Sequence, residues 1–156
     1  KGLEAILDAS QKVDRALRAG GDAVGARTVI TNIPGYLPLF QDPTLTDIAA
    51  RNGRALLGEK GAQEAGFMGG SFDVGDLSHL IPLVHPFVTG TRGHIHTAGF
   101  CITDYEAAVV MPAKLMAACV IDLLADGATG ARRVKQGFTP RLTKAQYLEL
   151  LQQLSR

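Results

Sequence analysis

The sequence predicts an α/β protein in two parts, a small α+β layer over residues 1–60 and a second unit over 61–156. Apolar residues at helical spacing alternate with short β-branched or extended segments, which indicates mixed structure. Between the two parts, residues 59–70 are rich in glycine, alanine and charged residues, and this change of composition indicates the boundary. At 156 residues and 46% hydrophobic, the chain is long enough to bury a core.

The pattern of the first part predicts helix, strand and helix. An amphipathic helix is expected over about 2–19, ended by Gly20 and Gly21; its apolar stripe is Leu3, Ile6, Leu7, Val13 and Leu17. Residues 26–31 alternate and are β-branched, which predicts a strand. Asp42 is suited to cap a helix with Pro43 at its first position, and Gly58 to end it.

The second part predicts an extended segment followed by two helices. Residues 80–88 are apolar, but Pro82 and Pro86 remove ladder donors, so an edge strand or an irregular segment is expected. A long helix is predicted from an Asp104 cap to about Ala125, with Pro112 as a point where it could kink. A loose basic stretch over 132–139 and a last helix capped by Thr143 complete the prediction.

Composition excludes some function classes. The net charge is +1 and no basic stripe is interleaved with aromatics, so no nucleic-acid partner is expected. No apolar run approaches about 18 residues, so no membrane span is expected, and no signal peptide is evident; a cytoplasmic protein is predicted. Cys101 and Cys119 lack a C-x-x-C spacing, which favours buried, reduced thiols.

All four histidines fall between His79 and His96, directly after a glycine-rich loop that carries two aspartates. Imidazole is a frequent zinc ligand and moves protons near neutral pH. His94 and His96 would face the same side of an extended segment, because side chains alternate along a strand. The alternative is an exposed loop pair without a role in chemistry.

The aspartates and the other polar residues of this region also allow two interpretations. Asp73 and Asp76 suit metal ligands or acids, yet an aspartate in a glycine-flanked loop most often bonds its own backbone. His85, between an apolar residue and a proline, is typical of a core histidine. Residues 69–71 are not a phosphate loop, because no Gly-Lys-Ser/Thr pattern follows them.

Several of these segments together resemble one family. Residues 70–78, GSFDVGDLS, are similar to the G-S-T-D-x-G-D/N-V-S segment of the M20 metallopeptidase family. Residues 81–87, IPLVHPF, resemble the V-V-P-x-I-H-P-Y of its amidohydrolase branch, and 93–97, GHIHT, sit where the family has a late glycine-led H-S/T motif. Residues 13–25 and 34–38 look like the end of its lid domain, and 138–147 like its C-terminus.

The resemblance implies the C-terminal part of a zinc-exopeptidase-like catalytic domain over 61–156, preceded by the end of an α+β lid or dimerisation domain over 1–60. His96 matches a metal ligand of the family's two-metal centre, and His94 is its neighbour. Ser71, Asp73 and His94 are substrate-pocket candidates, while His85 matches a structural position. No catalytic residue is assigned.

The departures from the family limit what this chain does by itself. It has no H-x-D or C-x-H motif and no Glu-Glu pair before a glycine, so most metal ligands and the general base are missing. The resemblance therefore implies a portion of an amidohydrolase, inactive alone, that acts with zinc (or manganese or cobalt) on N-acyl or aroyl amino acids or small dipeptides.

Self-association is a further expectation, because apolar surfaces that would face missing parts of such an enzyme would be exposed. A homo-oligomer is therefore predicted. The competing hypothesis is a non-catalytic interaction or dimerisation module, in which the histidines are structural and the apolar stripes of the first two helices pair protomers.

Overall fold

A computed structural model describes residues 2–61, 63 and 70–155 of the chain. It is mostly helical, at 58%, with one small two-stranded sheet, so the predicted α/β class holds only in its coarse sense of mixed structure. Most of the expected boundary at 59–70 lies outside the described residues. The chain forms two compact units, one from 1–40, 70–81 and 140–156 and one from 41–69 and 82–139. The division into domains at residue 60 stays a prediction about a larger enzyme.

The described residues of the first unit form three helices, α1 (Leu3–Ala23), α3 (Val74–Ser78) and α5 (Lys144–Leu154). Helix α1 continues through Gly20 and Gly21, so the predicted stop there was wrong. The predicted strand at 26–31 was also wrong, since this segment has no ladder partner among the described residues. An alternating β-branched pattern favours extended backbone, but a strand requires a neighbour to pair with.

Helix α1 does not bury its apolar stripe within the described chain. Ile6, Val13 and Leu17 are each about half exposed, whereas Asp14 is only 7% exposed. The amphipathic pattern thus predicted the helix correctly, and its apolar side is left accessible.

The second unit begins with α2 (Pro43–Leu57), which starts and ends as predicted. The Asp42 carboxylate accepts a hydrogen bond from the Leu45 N–H at 2.9 Å, which caps the helix. The Asp42 N–H donates to the Leu83 carbonyl at 2.7 Å, and the Gln41 side chain accepts from the His85 N–H at 2.8 Å. These bonds hold the proline-containing segment after Pro82 as an irregular extended stretch, as expected.

A short hairpin follows, made of β1 (Thr91–Arg92) and β2 (Cys101–Ile102). The strands are antiparallel, with Thr91 opposite Ile102 and Arg92 opposite Cys101. Next to the two strands, the Gly90 carbonyl accepts hydrogen bonds from the N–H groups of Thr103 and Asp104 at 2.9 and 3.0 Å. The Asp104 carboxylate then accepts from the Ala107 N–H at 3.0 Å, so the predicted cap is confirmed.

A π-helical segment (Glu106–Val110) leads into α4 (Met111–Gly137). Pro112 lies in the first turn of α4, directly after the π-helical segment, and it has no N–H to donate to that preceding turn. The backbone leaves helical geometry at 125–128, which agrees with the predicted end near Ala125. The chain then becomes helical again to Gly137, so the expectation of a loose stretch over 132–139 was wrong.

Helices α2 and α4 pack against each other and form the apolar centre of the second unit. Ile48, Ala49 and Val134 are buried there, and Leu37 is the buried apolar residue of the first unit. Among the described residues these four are the only buried apolar side chains, so the chain buries far less than its composition suggested.

The opposite face of α4 and of the segment before it is apolar and exposed. Its large side chains are Tyr105, Val109, Val110, Met116, Val120, Ile121 and Leu124.

By length and composition alone, the helix from Glu106 to Gly137 could cross a membrane. Its mean hydropathy is 1.9 over an 18-residue window that is not buried. Core helices of soluble proteins, which are mostly buried, pass the same test, and the expectation of no membrane span stays a prediction.

The break in α4 contains three consecutive residues with left-handed backbone, of which Ala128 (φ 63°) has no special tolerance for it. Replacing Ala128 with glycine removes the clash of its Cβ. We expect Ala128→Gly to raise the free energy of unfolding by up to about 1 kcal/mol. Ala117→Gly, at an exposed helical position, should lower it by about 1 kcal/mol. Denaturant titration measures both, and changes of the same sign would contradict the left-handed assignment.

Candidate functional site

The segment with the family-like motif consists of an exposed turn followed by the short helix α3. Ser71 and Asp73, both substrate-pocket candidates, lie at the surface of the first unit. The Asp73 carboxylate accepts a hydrogen bond from the Val74 N–H at 2.9 Å. Asp73 therefore caps its own helix, as expected for an aspartate in a glycine-flanked turn.

Asp76 connects three stretches of the first unit. One carboxylate oxygen accepts from the Leu37 N–H at 2.7 Å, and the other accepts from the Tyr147 hydroxyl at 3.0 Å. Gly75 is buried against the Leu37 carbonyl, where any side chain would collide with the backbone. Both residues of the Gly-Asp pair are thus required by the packing of α3 against its neighbours.

Ser78 and His79 add a second set of connections. The Ser78 hydroxyl accepts from the Phe40 N–H at 3.0 Å and donates to the Gly75 carbonyl. The His79 ring lies 3.0 Å from the Pro38 carbonyl through Nε2, and its own carbonyl accepts from the Arg141 and Leu142 N–H groups. His79 is buried, so it is a structural residue of this unit.

An aromatic and cationic stack closes the same region. The His79 ring meets Phe40 edge to face at 5.0 Å between centroids. The Arg141 guanidinium lies over the Phe40 ring, with its central carbon 3.6 Å from the ring centroid. These roles could not be predicted from the sequence, because the partners are distant along the chain.

The two remaining candidate residues, His94 and His96, belong to the second unit and lie in the loop of the hairpin. Every residue from Thr91 to Phe100 is exposed. The Thr97 hydroxyl donates to the His94 carbonyl at 2.8 Å, and the Phe100 N–H donates to the Thr97 carbonyl at 3.1 Å. His96 has a left-handed backbone with φ 64°. The loop is therefore a folded turn, not an extended strand, and it presents both imidazoles to solvent.

The other histidine of the second unit, His85, is half-buried. Its ring meets Phe87 edge to face at 5.0 Å, and its N–H is held by Gln41. In the part of the chain that the structure describes, no three His, Cys, Asp or Glu side chains come together as a metal site. An accessible imidazole such as that of His96 suits one ligand position of a zinc centre, and further ligands would have to come from elsewhere.

Comparisons with protein-family models, with curated proteins and with solved structures found no match to this chain.

The contact with Asp76 affects Tyr147. Burial first, and then the hydrogen bond to Asp76 and its negative charge, raise the pKa of the Tyr147 hydroxyl above its ordinary value of 10.0. Because the folded state favours the neutral phenol, this contribution to stability is complete below pH 10 and is lost as the pH rises through the folded-state pKa.

We expect Tyr147→Phe to lower the free energy of unfolding by about 1 kcal/mol at neutral pH. The difference from wild type should shrink at alkaline pH, above about 10, where the wild-type phenol ionises beside Asp76. Denaturant titrations across the pH range measure it, with Tyr36→Phe, at a side chain 53% exposed, as the control. A difference that stays constant into strong alkali would contradict the contact.

The two cysteines should differ in reactivity. Burial, partly opposed by a hydrogen bond from Asn52 and reinforced by the charge of Asp122, raises the pKa of the Cys119 thiol above 9.0. The Cys101 sulfur instead accepts from the Arg92 Nε at 3.2 Å. Because the thiolate is the reactive form, the raised pKa of Cys119 should make it react with a disulfide reagent at pH 8 at least about threefold more slowly than Cys101.

Single-cysteine proteins test this difference, with Cys119→Ser leaving Cys101 and Cys101→Ser leaving Cys119. Equal rates for the two thiols, or a faster Cys119, would count against the assigned environments.

Proposed function

We propose that this chain is the C-terminal portion of a metal-dependent amidohydrolase of the M20 type. The observation that carries the proposal is the resemblance of the segment 70–78, and of the glycine-led histidine motif at 93–97, to that family's pattern. The local structure is compatible with it, since Gly75 and Ser78 are buried and Asp76 is held by hydrogen bonds within the first unit. Ser71, Asp73, His94 and His96 are the accessible residues.

In this proposal His96 holds one metal of a two-metal centre through a ring nitrogen. Its other ring nitrogen requires a partner that fixes the tautomer. The metal, zinc or else manganese or cobalt, supplies polarisation of the amide carbonyl and a lowered pKa for bound water. The general base and the other ligands are not among the residues of this chain that the pattern matches, so the chain alone is inactive.

The proposed substrates are N-acyl or aroyl amino acids and small dipeptides. Ser71, Asp73 and His94 are the proposed pocket residues, since they offer hydroxyl, carboxylate and imidazole groups at accessible positions. The intact enzyme would be a cytoplasmic homo-oligomer. The exposed apolar sides of α1 and α4 support the proposal that the chain is part of a larger enzyme, because such surfaces are normally covered by other parts of a protein.

The same apolar surfaces favour the second candidate function, a non-catalytic interaction or dimerisation module. In that case the hairpin histidines are simple surface residues. The two functions differ in whether any change at His96 alters chemistry.

The deciding experiment measures amide hydrolysis by the full-length gene product with zinc, manganese or cobalt, on a panel of acyl and aminobenzoyl amino acids. His96→Ala should lower kcat/KM by at least about 100-fold, because it removes a metal ligand. Metal content, measured by atomic emission after dialysis, should fall with it.

His94→Ala is the matched control, since it removes a second imidazole from the same exposed loop. It should keep the metal and change KM more than kcat. Loss of metal in His94→Ala but not in His96→Ala would overturn the assignment of the ligand. Absence of hydrolysis with every substrate and metal would favour the interaction module.

A further inference from the structure

A cavity of about 380 Å³ in the second unit is lined by one side of α2 and by the part of α4 on both sides of its break. This volume is in the range of sites that hold small molecules, about 300–1,000 Å³. Three arginines reach it, Arg51 and Arg54 from α2 and Arg133 from α4. It is separate from the hairpin loop and from the motif segment, none of whose residues line it.

The charges around the cavity are not balanced by one another. Asp122 already accepts a hydrogen bond from the Asn52 amide at 2.9 Å and pairs with Arg51 at 3.6 Å. Within the described ranges, neither Arg54 nor Arg133 has a carboxylate within 4.0 Å, and Asp47 has no cation within that distance. Three guanidinium groups thus face two carboxylates, one of which is already engaged.

The backbone of α4 brings Arg133 to this place. Residues 126–128 are left-handed, and Gly130 then lies so close to Asp122 that a Cβ on it would be 2.6 Å from the Asp122 carbonyl oxygen. Only glycine permits this approach, which folds the last part of α4 back beside α2. Thr44, whose side chain is a hydrogen-bond donor, also lines the cavity.

We propose that Arg54 and Arg133 bind a small oxyanion, a phosphate or carboxylate group, in this cavity, with Arg51 supporting them. Guanidinium groups donate paired N–H bonds that fit such oxygens, and among the described residues neither Arg54 nor Arg133 has a carboxylate partner. This inference does not depend on the proposed hydrolase function. A free anion and the anionic group of a larger metabolite offer the same chemistry.

The test is thermal unfolding of the whole chain in inorganic phosphate, with sodium chloride keeping the ionic strength constant. Phosphate should raise Tm by about 2 °C or more, because it binds the folded state. Arg54→Gln and Arg133→Gln should each remove more than half of that shift. Arg15→Gln, at an exposed arginine of α1, should keep it.

Further measurements, with other anions and with lysine variants, identify the ligand and control for misfolding. Sulfate compared with acetate and succinate decides between tetrahedral and carboxylate ligands. Arg54→Lys and Arg133→Lys retain the charge but lose the paired donors, so they should weaken the shift while circular dichroism stays unchanged. A phosphate shift equal in all variants, or no shift with any of these anions, would overturn the proposal and leave a solvated ion network.

Discussion

The carboxylate of Asp76 is the constraint on which the first unit depends. It accepts the Leu37 N–H and the Tyr147 hydroxyl, whose residues lie 39 and 71 positions away along the chain. Helix α3 has only five residues, too few to be stable by itself, so these bonds and those of Ser78 and His79 hold it in place. The accessible Ser71 and Asp73 directly precede this fixed point. The second half of the family-like motif, Gly75 to Ser78, therefore has a structural role, because it holds α3 to the rest of the first unit.

Local chemistry explains which parts of the fold could be predicted from the sequence. The caps at Asp42, Asp104 and Thr143 were correct because each aspartate or threonine accepts a hydrogen bond from the backbone N–H three residues further on. The strand at 26–31 was wrong because strand formation depends on a distant partner. The basic stretch after Arg132 was wrong because its helix packs Val134 into the apolar centre, which charge composition does not reveal.

The same limit applies to the sites. Clustering in sequence was enough to nominate His94 and His96, and the hairpin does present them together on an exposed loop. The arginine cavity could not be found in this way, since Arg54 and Arg133 are far apart along the chain and meet only through the left-handed break in α4. The chain buries few apolar side chains and leaves whole helix faces uncovered, which agrees with the proposal that it belongs to a larger enzyme.

Native-state amide hydrogen exchange at Leu37 and Phe40 tests the central structural claim most directly. Neither residue belongs to a helix or strand, so their N–H groups are protected only if Asp76 and Ser78 accept them. We expect slow exchange at both positions, with protection at Leu37 lost in Asp76→Ala. Exchange at Leu37 as fast as in an unstructured peptide in the unaltered chain would contradict the account.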